Sequence, residues 1–301
     1  MTDILDPAAV DVLVETESEK TFTQWQLVRR RFLRHRLAVV GTVVLVLVMV
    51  ACFGATWVAP YPRNQQNLLL EVQGPTGSHL FGVDELGRDY LTEVLFAGQI
   101  SLKLALTVAL LSSLIGTALG AIAGYFGKLL DNLLMRLTDL FLMIPSIAVL
   151  AVAIKKFGNN DRTISLVLAG LLWMTIARVV RGQVLALREK EFVDAARASG
   201  ASNSRIIVRH ILPNMVGPIL VNASLAIVFA IVAESTLSFL GFGVQPPKSS
   251  WGLLLSQAEG TVGTSKSFLI MFPGMMLLLV VLCVNFIGDG LRDAFDPQAK
   301  Q

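Results

Sequence analysis

Few side chains in this sequence have the types and spacing that catalysis needs. The stretch Gly124-Tyr-Phe-Gly-Lys128 lacks the glycine spacing and the Ser or Thr of a phosphate-binding loop. The three histidines, His35, His79 and His210, lie far apart and no Cys/His cluster accompanies them, so we expect no metal centre. No Gly-x-Ser-x-Gly or His-Glu-x-x-His motif occurs. We therefore expect a non-catalytic chain that binds no cofactor itself.

Charged residues concentrate instead in residues 187–214, between two long apolar stretches. Helix-forming residues predict a helix over Leu187–Ser199, and Gly200 suits its end because glycine tolerates positive φ. Ser202 or Asn203 could cap a second helix. We interpret this segment as two short helices around a break.

The same segment carries residues suited to a protein contact. Ala195 and Ala196 would give a small flat face that could enter a groove of a partner, with charges around it to fix the register. Pro213 suits the turn that leads into the next apolar stretch.

Composition indicates which elements must position this segment. Hydrophobic residues make up 54% of the 301 residues and charged residues 16%, a deficit of charge typical of membrane proteins. The net charge of +3 is too small to argue for binding to nucleic acid. About 20 residues cross a bilayer as a helix. Six stretches are predicted to do so: Leu37–Ala59, Leu104–Phe126, Leu137–Ile154, Thr163–Val180, Met215–Leu240 and Phe268–Gly288.

The distribution of Lys and Arg sets the orientation. Basic residues crowd the flank before the first span and the segment between spans four and five. Those two regions lie on the same side of a six-span protein, so that side is cytoplasmic and both termini are inside. Lys155, Lys156 and Arg162, after the third span, run against this rule.

The flanks of the apolar core differ in character. Residues 1–19 are acidic and predicted to be disordered, whereas 21–36 could form an amphipathic helix on the inner membrane surface. An ordinary basic flank is the alternative for 21–36. Cys52 and Cys283 lie in different apolar stretches, so we expect no disulfide.

Ionisable residues within spans are costly and indicate candidate functions. Asp139 follows Arg136 by one helical turn, so we expect an ion pair between them. Glu234 lies near the outer end of the fifth span, where it either lines a path or gate or pairs with a neighbouring helix. Pro145 and Pro273 predict kinks, which occur in moving and in static bundles alike.

The segment between spans four and five resembles the EAA loop of ABC-importer permeases. The match consists of Ala195, Ala196, Gly200, Leu212 and Pro213, with Asp194 where that family usually has Glu. In such permeases the loop docks on the ATPase subunit and transmits its closure. The resemblance therefore implies the following ATPase-coupling residues: Glu191, Asp194, Ala195, Ala196, Gly200, Arg205, His210, Leu212 and Pro213.

Further segments are similar to the C-type permeases of dipeptide and oligopeptide importers. The resemblance covers about residues 25–298 and rests on these stretches: Phe81–Asp89, Gly98–Leu102, Gly124–Gly127 with Asp131, Leu237–Gly243, Gln245–Pro247, Trp251–Gly252 and Gly288–Asp293 followed by Asp296-Pro297.

The resemblance implies an all-α polytopic fold of the type I ABC-importer class, in the inner membrane of a prokaryote. Residues 1–36 would form a cytoplasmic tail, 37–97 the first span with an extracytoplasmic segment, 98–293 the permease core and 294–301 a second tail. Expected partners are a B-type permease, ATP-binding subunits that hold ATP and Mg²⁺, an extracytoplasmic solute-binding protein and the lipid bilayer.

Several alternatives stay open on the sequence alone. Glu234, Met143 and Pro145 are candidates for the translocation path or gate. The cargo could be a dipeptide, an oligopeptide, glutathione or a nickel chelate. A stand-alone secondary transporter would need internal repeats and midplane ion ligands. The sequence has no convincing repeat, and its predicted spans contain only two carboxylates. A membrane-embedded enzyme would need a catalytic constellation.

Overall fold

A computed structural model describes residues 23–63 and 65–296 of the chain, and this part is built from helices. Residues 1–19, which the sequence predicts to be disordered, lie outside the described residues. The helices are α1 Gln24–Arg34, α2 Arg36–Phe53, α3 Ala55–Val58, α4 Tyr90–Phe126, α5 Lys128–Leu142, α6 Ser146–Phe157, α7 Asp161–Leu187, α8 Glu191–Ala198, α9 Asn203–Phe239, α10 Trp251–Gln257 and α11 Phe268–Phe295.

Five of the described helices, α2, α4, α7, α9 and α11, are long and apolar enough to cross a membrane. They confirm five of the six predicted spans, with ends that differ from the predicted ones. The longest, α4 and α9, have 37 residues each and extend well beyond the apolar stretches that predicted them.

The third predicted span is not one helix. The helices α5 and α6 meet at a bend of 83°, and the break falls on Met143–Pro145. Proline lacks a backbone N–H and clashes with the preceding turn, so a helix that ends before Pro145 and restarts at Ser146 is favoured. The predicted span over Leu137–Ile154 is therefore present as a bent pair of helices that together are long enough to cross, and the predicted kink at Pro145 is a break between them.

The tightest packing joins α4 to α7. Three glycines of α4 face α7 at four-residue spacing, and a Cβ at Gly116 would lie 2.7 Å from the carbonyl oxygen of Trp173. At Gly124 a Cβ would lie 2.8 Å from the carbonyl oxygen of Arg181. Small residues thus let the two backbones approach closely. Because both contacts advance in the same direction, α4 and α7 run parallel.

The N-terminal helix α1 lies against the end of α11. Arg31 donates to the carbonyl oxygen of Asp296 at 2.7 Å, and the rings of Trp25 and Phe295 meet edge to face at 6.1 Å. A break at His35 separates α1 from α2. The described part of the predicted amphipathic helix is confirmed as helical from Gln24 to Arg34. Phe22, its first apolar residue, lies outside the described residues.

The segment between α3 and α4 is held by a charged cluster. Arg88 bridges Asp84 at 2.6 Å and Glu93 at 3.2 Å, and all three side chains are largely buried. Asp89 caps the N-terminus of α4 by accepting from the backbone N–H of Thr92 and contacts His79 at 2.9 Å. Elsewhere in the fold Cys52 and Cys283 are both buried and free, as predicted.

Candidate functional site

The helix α8 lies on the surface with one face anchored. Val193 and Ala196 are buried and belong to an apolar cluster that includes Val184, Ile206 and Met215, residues of α7 and α9. The remaining face of α8 is exposed. A short helix on a packed base presents its outer face with little freedom, which suits docking of another protein.

The break after α8 is a complete glycine C-cap. Gly200 has φ +75°, and its N–H donates to the carbonyl oxygen of Arg197 at 2.9 Å. The N–H of Ala201 donates to the carbonyl oxygen of Ala196 at 3.0 Å. These two bonds form the Schellman arrangement, in which a residue of positive φ reverses the chain. The prediction that Gly200 ends the first helix of the segment is confirmed.

The second helix of the segment differs from the prediction. It begins after Ser202, whose side chain makes no capping hydrogen bond. It then continues without interruption into the fifth span through a π-helical stretch at Ile206–Ile211 and a 3-10 stretch at Leu212–Met215. The first helix is also shorter than predicted, because α7 ends at Leu187 and a turn precedes α8. The helix that follows the break is therefore continuous with the fifth span.

Both ends of the segment are tied to the inner end of α4. The hydroxyl of Tyr125 donates to Asn203 Oδ1 at 3.0 Å, and Arg188 donates to the carbonyl oxygen of Gly124 at 2.9 Å. Neither anchor is predicted by a sequence pattern. The polar residues at 124–131 indicate an inner loop but not partners 60 or more residues away.

An ion pair organises the outer face of α8. Arg197 donates to Asp194 at 2.9 Å, one turn apart on the same helix. The guanidinium of Arg197 also lies over the ring of Tyr125, with Cζ 5.7 Å from the ring centroid. Its interactions with Tyr125 first, and then with Asp194, raise the pKa of Arg197 above its ordinary value.

The structure sorts the predicted coupling residues by exposure. Ala196 is buried, and His210 and Leu212 are partly buried. The exposed ones are Glu191, Asp194, Ala195, Gly200, Arg205 and Pro213. The expectation that Ala195 and Ala196 share one outward face was wrong, because adjacent residues on a helix point about 100° apart. Ala195 faces outward and Ala196 packs inward.

Of the candidate path residues, Met143 and Pro145 lie in the break between α5 and α6, and Glu234 lies on α9. Glu234 is 0% exposed, accepts from Ser238 at 2.7 Å and from Ser101 at 3.4 Å, and so joins α9 to α4. These bonds match the alternative of a carboxylate paired with a neighbouring helix, and a role of Glu234 in a path or gate stays a prediction. Met143 is 81% exposed.

An apolar groove lies beside the break between α5 and α6. Its volume is about 580 Å³, and Pro145, Leu172, Asn222 and Phe229 are among its lining residues. The groove is therefore formed by the break together with α7 and α9. Met143 does not line it, although it lies in the same break.

Two ion pairs attach α5 to α7. Asp139 binds Arg178 and Asp131 binds Arg181. The predicted pair of Asp139 with Arg136 was wrong, because the tertiary packing of α7 supplies a nearer cation. These pairs position the helix that precedes the break.

The fold and the site define a class of protein. It is a multi-pass helical membrane chain with a short anchored helix between its fourth and fifth predicted spans. Solved structures that it resembles share this helical fold. Two crystal forms of the methionine ABC transporter MetNI in inward-facing conformations give TM-scores of 0.52 and 0.51 at 18% and 20% identity, over 66% and 68% of this chain and 94% and 96% of theirs.

Sequence relatives identify the family. Residues 116–301 match the binding-protein-dependent transport system inner membrane component family, and 23–75 match the N-terminal TM domain of oligopeptide transport permease C. The chain is 40% identical to the oligopeptide transport system permease protein OppC of Haemophilus influenzae, over 92% of this chain and 89% of that one. It is 41% identical to OppC of Mycobacterium tuberculosis strain H37Rv, over 91% and 94%.

The chain therefore belongs to the family of binding-protein-dependent transport system inner membrane components. It is a permease subunit of an ABC importer and resides in the inner membrane.

Proposed function

We propose that this chain forms half of the translocation path of an importer of peptides. The observation that supports the cargo is the identity of about 40% over nine-tenths of the chain with permeases named for oligopeptide transport. The long match to an oligopeptide-permease N-terminal domain, at 23–75, supports the same class.

We propose that α8 docks in a groove of an ATP-binding subunit. Its exposed face offers the Asp194–Arg197 pair and the small side chain of Ala195. Val193 and Ala196 pack its other face against the apolar cluster formed with α4, α7 and α9. Closure of two ATPase subunits would push α8, and the continuous helix α9 would carry that displacement into the membrane. ATP and Mg²⁺ belong to the partner subunits in this proposal, and this chain performs no catalysis.

The path itself lies between this chain and a second, B-type permease in the proposed assembly. The groove beside Pro145 is the part of this chain that we assign to it. Apolar walls with a few polar groups such as Asn222 and Thr175 suit passage of peptides of varied side chains, because they favour no single one. An extracytoplasmic solute-binding protein would deliver the peptide and supply selectivity.

The proposal is tested by purification and reconstitution. The full-length chain, tagged at its C-terminus, is extracted from its native membrane, and the accompanying proteins are identified by mass spectrometry. We expect an ATP-binding subunit and a second permease. The complex is reconstituted into vesicles with its solute-binding protein on the outer side. It should move a labelled tripeptide only when ATP is present on the side of the membrane that carries the ATPase subunits.

Two results would contradict different parts of the proposal. A chain that is recovered alone and moves solute under an ion gradient without ATP would exclude the importer mechanism. An ATP-dependent complex that ignores peptides but accepts glutathione or a nickel chelate would exclude the peptide cargo only.

A further inference from the structure

Three basic residues line one cleft where the outer end of α7 lies beside α4, on the side where the positive-inside rule disfavours them. Arg162 begins α7, Lys103 lies on α4, and Lys248 precedes α10. The sequence places Arg162 in an outer loop whose positive charge runs against this rule. The proposed function assigns no role to Arg162. The structure shows that it is part of a cluster.

The cluster lines one continuous cleft. A part of about 320 Å³ between α4 and α7 is lined by Lys103, Arg162 and apolar residues that include Ile100 and Leu166. An adjoining part of about 450 Å³ is lined by Lys103, Asn160, Asp161, Arg162 and Lys248. Lys103, Asp161 and Arg162 belong to both parts.

The cleft carries excess positive charge. Lys248 pairs with Asp161 at 2.6 Å, which neutralises the one acidic side chain that lines it. Across residues 23–63 and 65–296, neither Lys103 nor Arg162 forms an ion pair, and both are exposed. Three cations thus share one carboxylate in this cleft, and the net positive charge favours an anionic ligand.

Apolar surface continues from the cations toward the membrane interior. On α4 the exposed row runs from Lys103 to Leu110 and Leu114, and on α7 it runs from Arg162 to Leu166, which is 63% exposed. Because α4 and α7 run parallel, both rows start with a cation at the outer end. From Lys103 to Leu114 the row is about 16 Å long at a rise of 1.5 Å per residue.

We propose that this cleft binds one anionic phospholipid of the extracytoplasmic leaflet. The headgroup phosphate would contact Lys103 and Arg162, and an acyl chain would follow the apolar rows. A row of about 16 Å corresponds to half of a hydrocarbon core about 30 Å thick, which is the depth of one leaflet. A soluble anion such as the carboxylate of a peptide would use the cations but leave the apolar rows without a partner.

The test counts lipids that stay bound to the protein. The full-length chain, purified with its co-purifying subunits, is mixed with equal amounts of phosphatidylglycerol and phosphatidylcholine and examined by native mass spectrometry. We expect the wild type to retain phosphatidylglycerol in preference. Lys103→Gln with Arg162→Gln should lower that retention about thirtyfold, because each basic residue at an anionic membrane surface contributes about 1 kcal/mol.

Two matched variants distinguish binding in this cleft from attraction of anionic lipid by the overall charge of the protein. Lys155→Gln with Lys156→Gln removes the same charge from the exposed outer end of α6 and should leave retention unchanged. Lys103→Arg with Arg162→Lys keeps both positive charges and should preserve the retention of phosphatidylglycerol. Elution volume and thermal unfolding of each variant confirm that the assembly is intact.

Three results would overturn the proposal. The first is equal retention of both lipids by the wild type. The second is an equal loss in the two glutamine pairs, which would show attraction by overall charge. The third is displacement of phosphatidylglycerol by a free-acid tripeptide but not by its C-terminal amide, which would make the cleft a carboxylate site.

Discussion

At the scale of single residues, Gly200 and Glu234 show two different reasons for a residue's identity. Gly200 has open space around the position of a Cβ and a φ of +75°, so its constraint is the backbone conformation alone. Glu234 is determined by its surroundings, because a carboxylate inside the packing must find donors, and Ser101 and Ser238 provide them. A sequence pattern predicts a glycine required by backbone conformation far better than a carboxylate whose hydrogen-bond donors lie on another helix.

A substitution at Gly200 tests the coupling role of the break. Gly200→Val places a β-branched residue at positive φ, where non-glycine residues cost about 1–2 kcal/mol. We expect the α8 break to distort and stimulation of ATP hydrolysis by peptide-loaded binding protein to fall severalfold, while the spans remain folded. The measurement is ATPase activity of the reconstituted complex with and without that protein.

The control for this change is Gly182→Val. Gly182 lies on α7 near the same segment, and it too has open space at the Cβ position but no positive φ. Its variant should couple normally. Normal stimulation in the Gly200 variant would show that the break is not the coupling element.

At the scale of elements, the pair of α4 and α7 depends on the absence of side chains. A Cβ at Gly116 would lie 2.7 Å from the Trp173 carbonyl oxygen, and that neighbour is backbone, which cannot rotate away. In a bilayer, helices associate through such close packing and not through exclusion of water. The three glycines therefore define the distance between two spans, and with it the cleft at their outer end.

Widening that distance should destabilise the protein. Gly116→Leu forces α4 from α7, and overpacking of this kind costs about 1–3 kcal/mol or more. We expect a lower thermal unfolding temperature and a lower yield of monodisperse protein, measured by fluorescence-detected gel filtration after heating. Gly170→Leu, on the exposed face of α7 where no atom lies within 4 Å of a Cβ, should unfold as the wild type does. An unchanged Gly116 variant would contradict the packing argument.

The break between α5 and α6 is also an element-scale property. Pro145 ends the hydrogen-bonded ladder, but the direction of α5 is set by the ion pairs of Asp131 and Asp139 with α7. A proline alone predicts a kink. The bend of 83° needs both the proline and the partner helix.

At the scale of the whole molecule, α1 and the end of α11 meet through Arg31 and Asp296, and α8 projects at the inner end of α7. Together with the basic flanks, these contacts predict that α1, α8 and the end of α11 face the cytoplasm and that the segment between α3 and α4 faces outside.

Site-specific labelling tests this arrangement. Gly77 lies in the outer segment with open space around it, and Ser199 lies at the exposed end of α8. In a background with Cys52→Ala and Cys283→Ala, a membrane-impermeant maleimide should label Gly77→Cys in intact spheroplasts. It should label Ser199→Cys only after the membrane is opened. The reverse pattern would invert the topology.

The sequence by itself determined the membrane class, five of the spans and the break at Gly200, and it predicts the orientation. These follow from local properties: the hydropathy of a stretch, the charge of its flanks and the backbone freedom of one residue. The tertiary structure alone decided which residues meet. Asp139 pairs with Arg178 and not with the nearby Arg136, Ala196 faces inward, Glu234 is enclosed by serines, and Lys103 joins Arg162 in one cleft. Partners separated by tens of residues are selected by helix packing, whose distances and rotations no local pattern specifies.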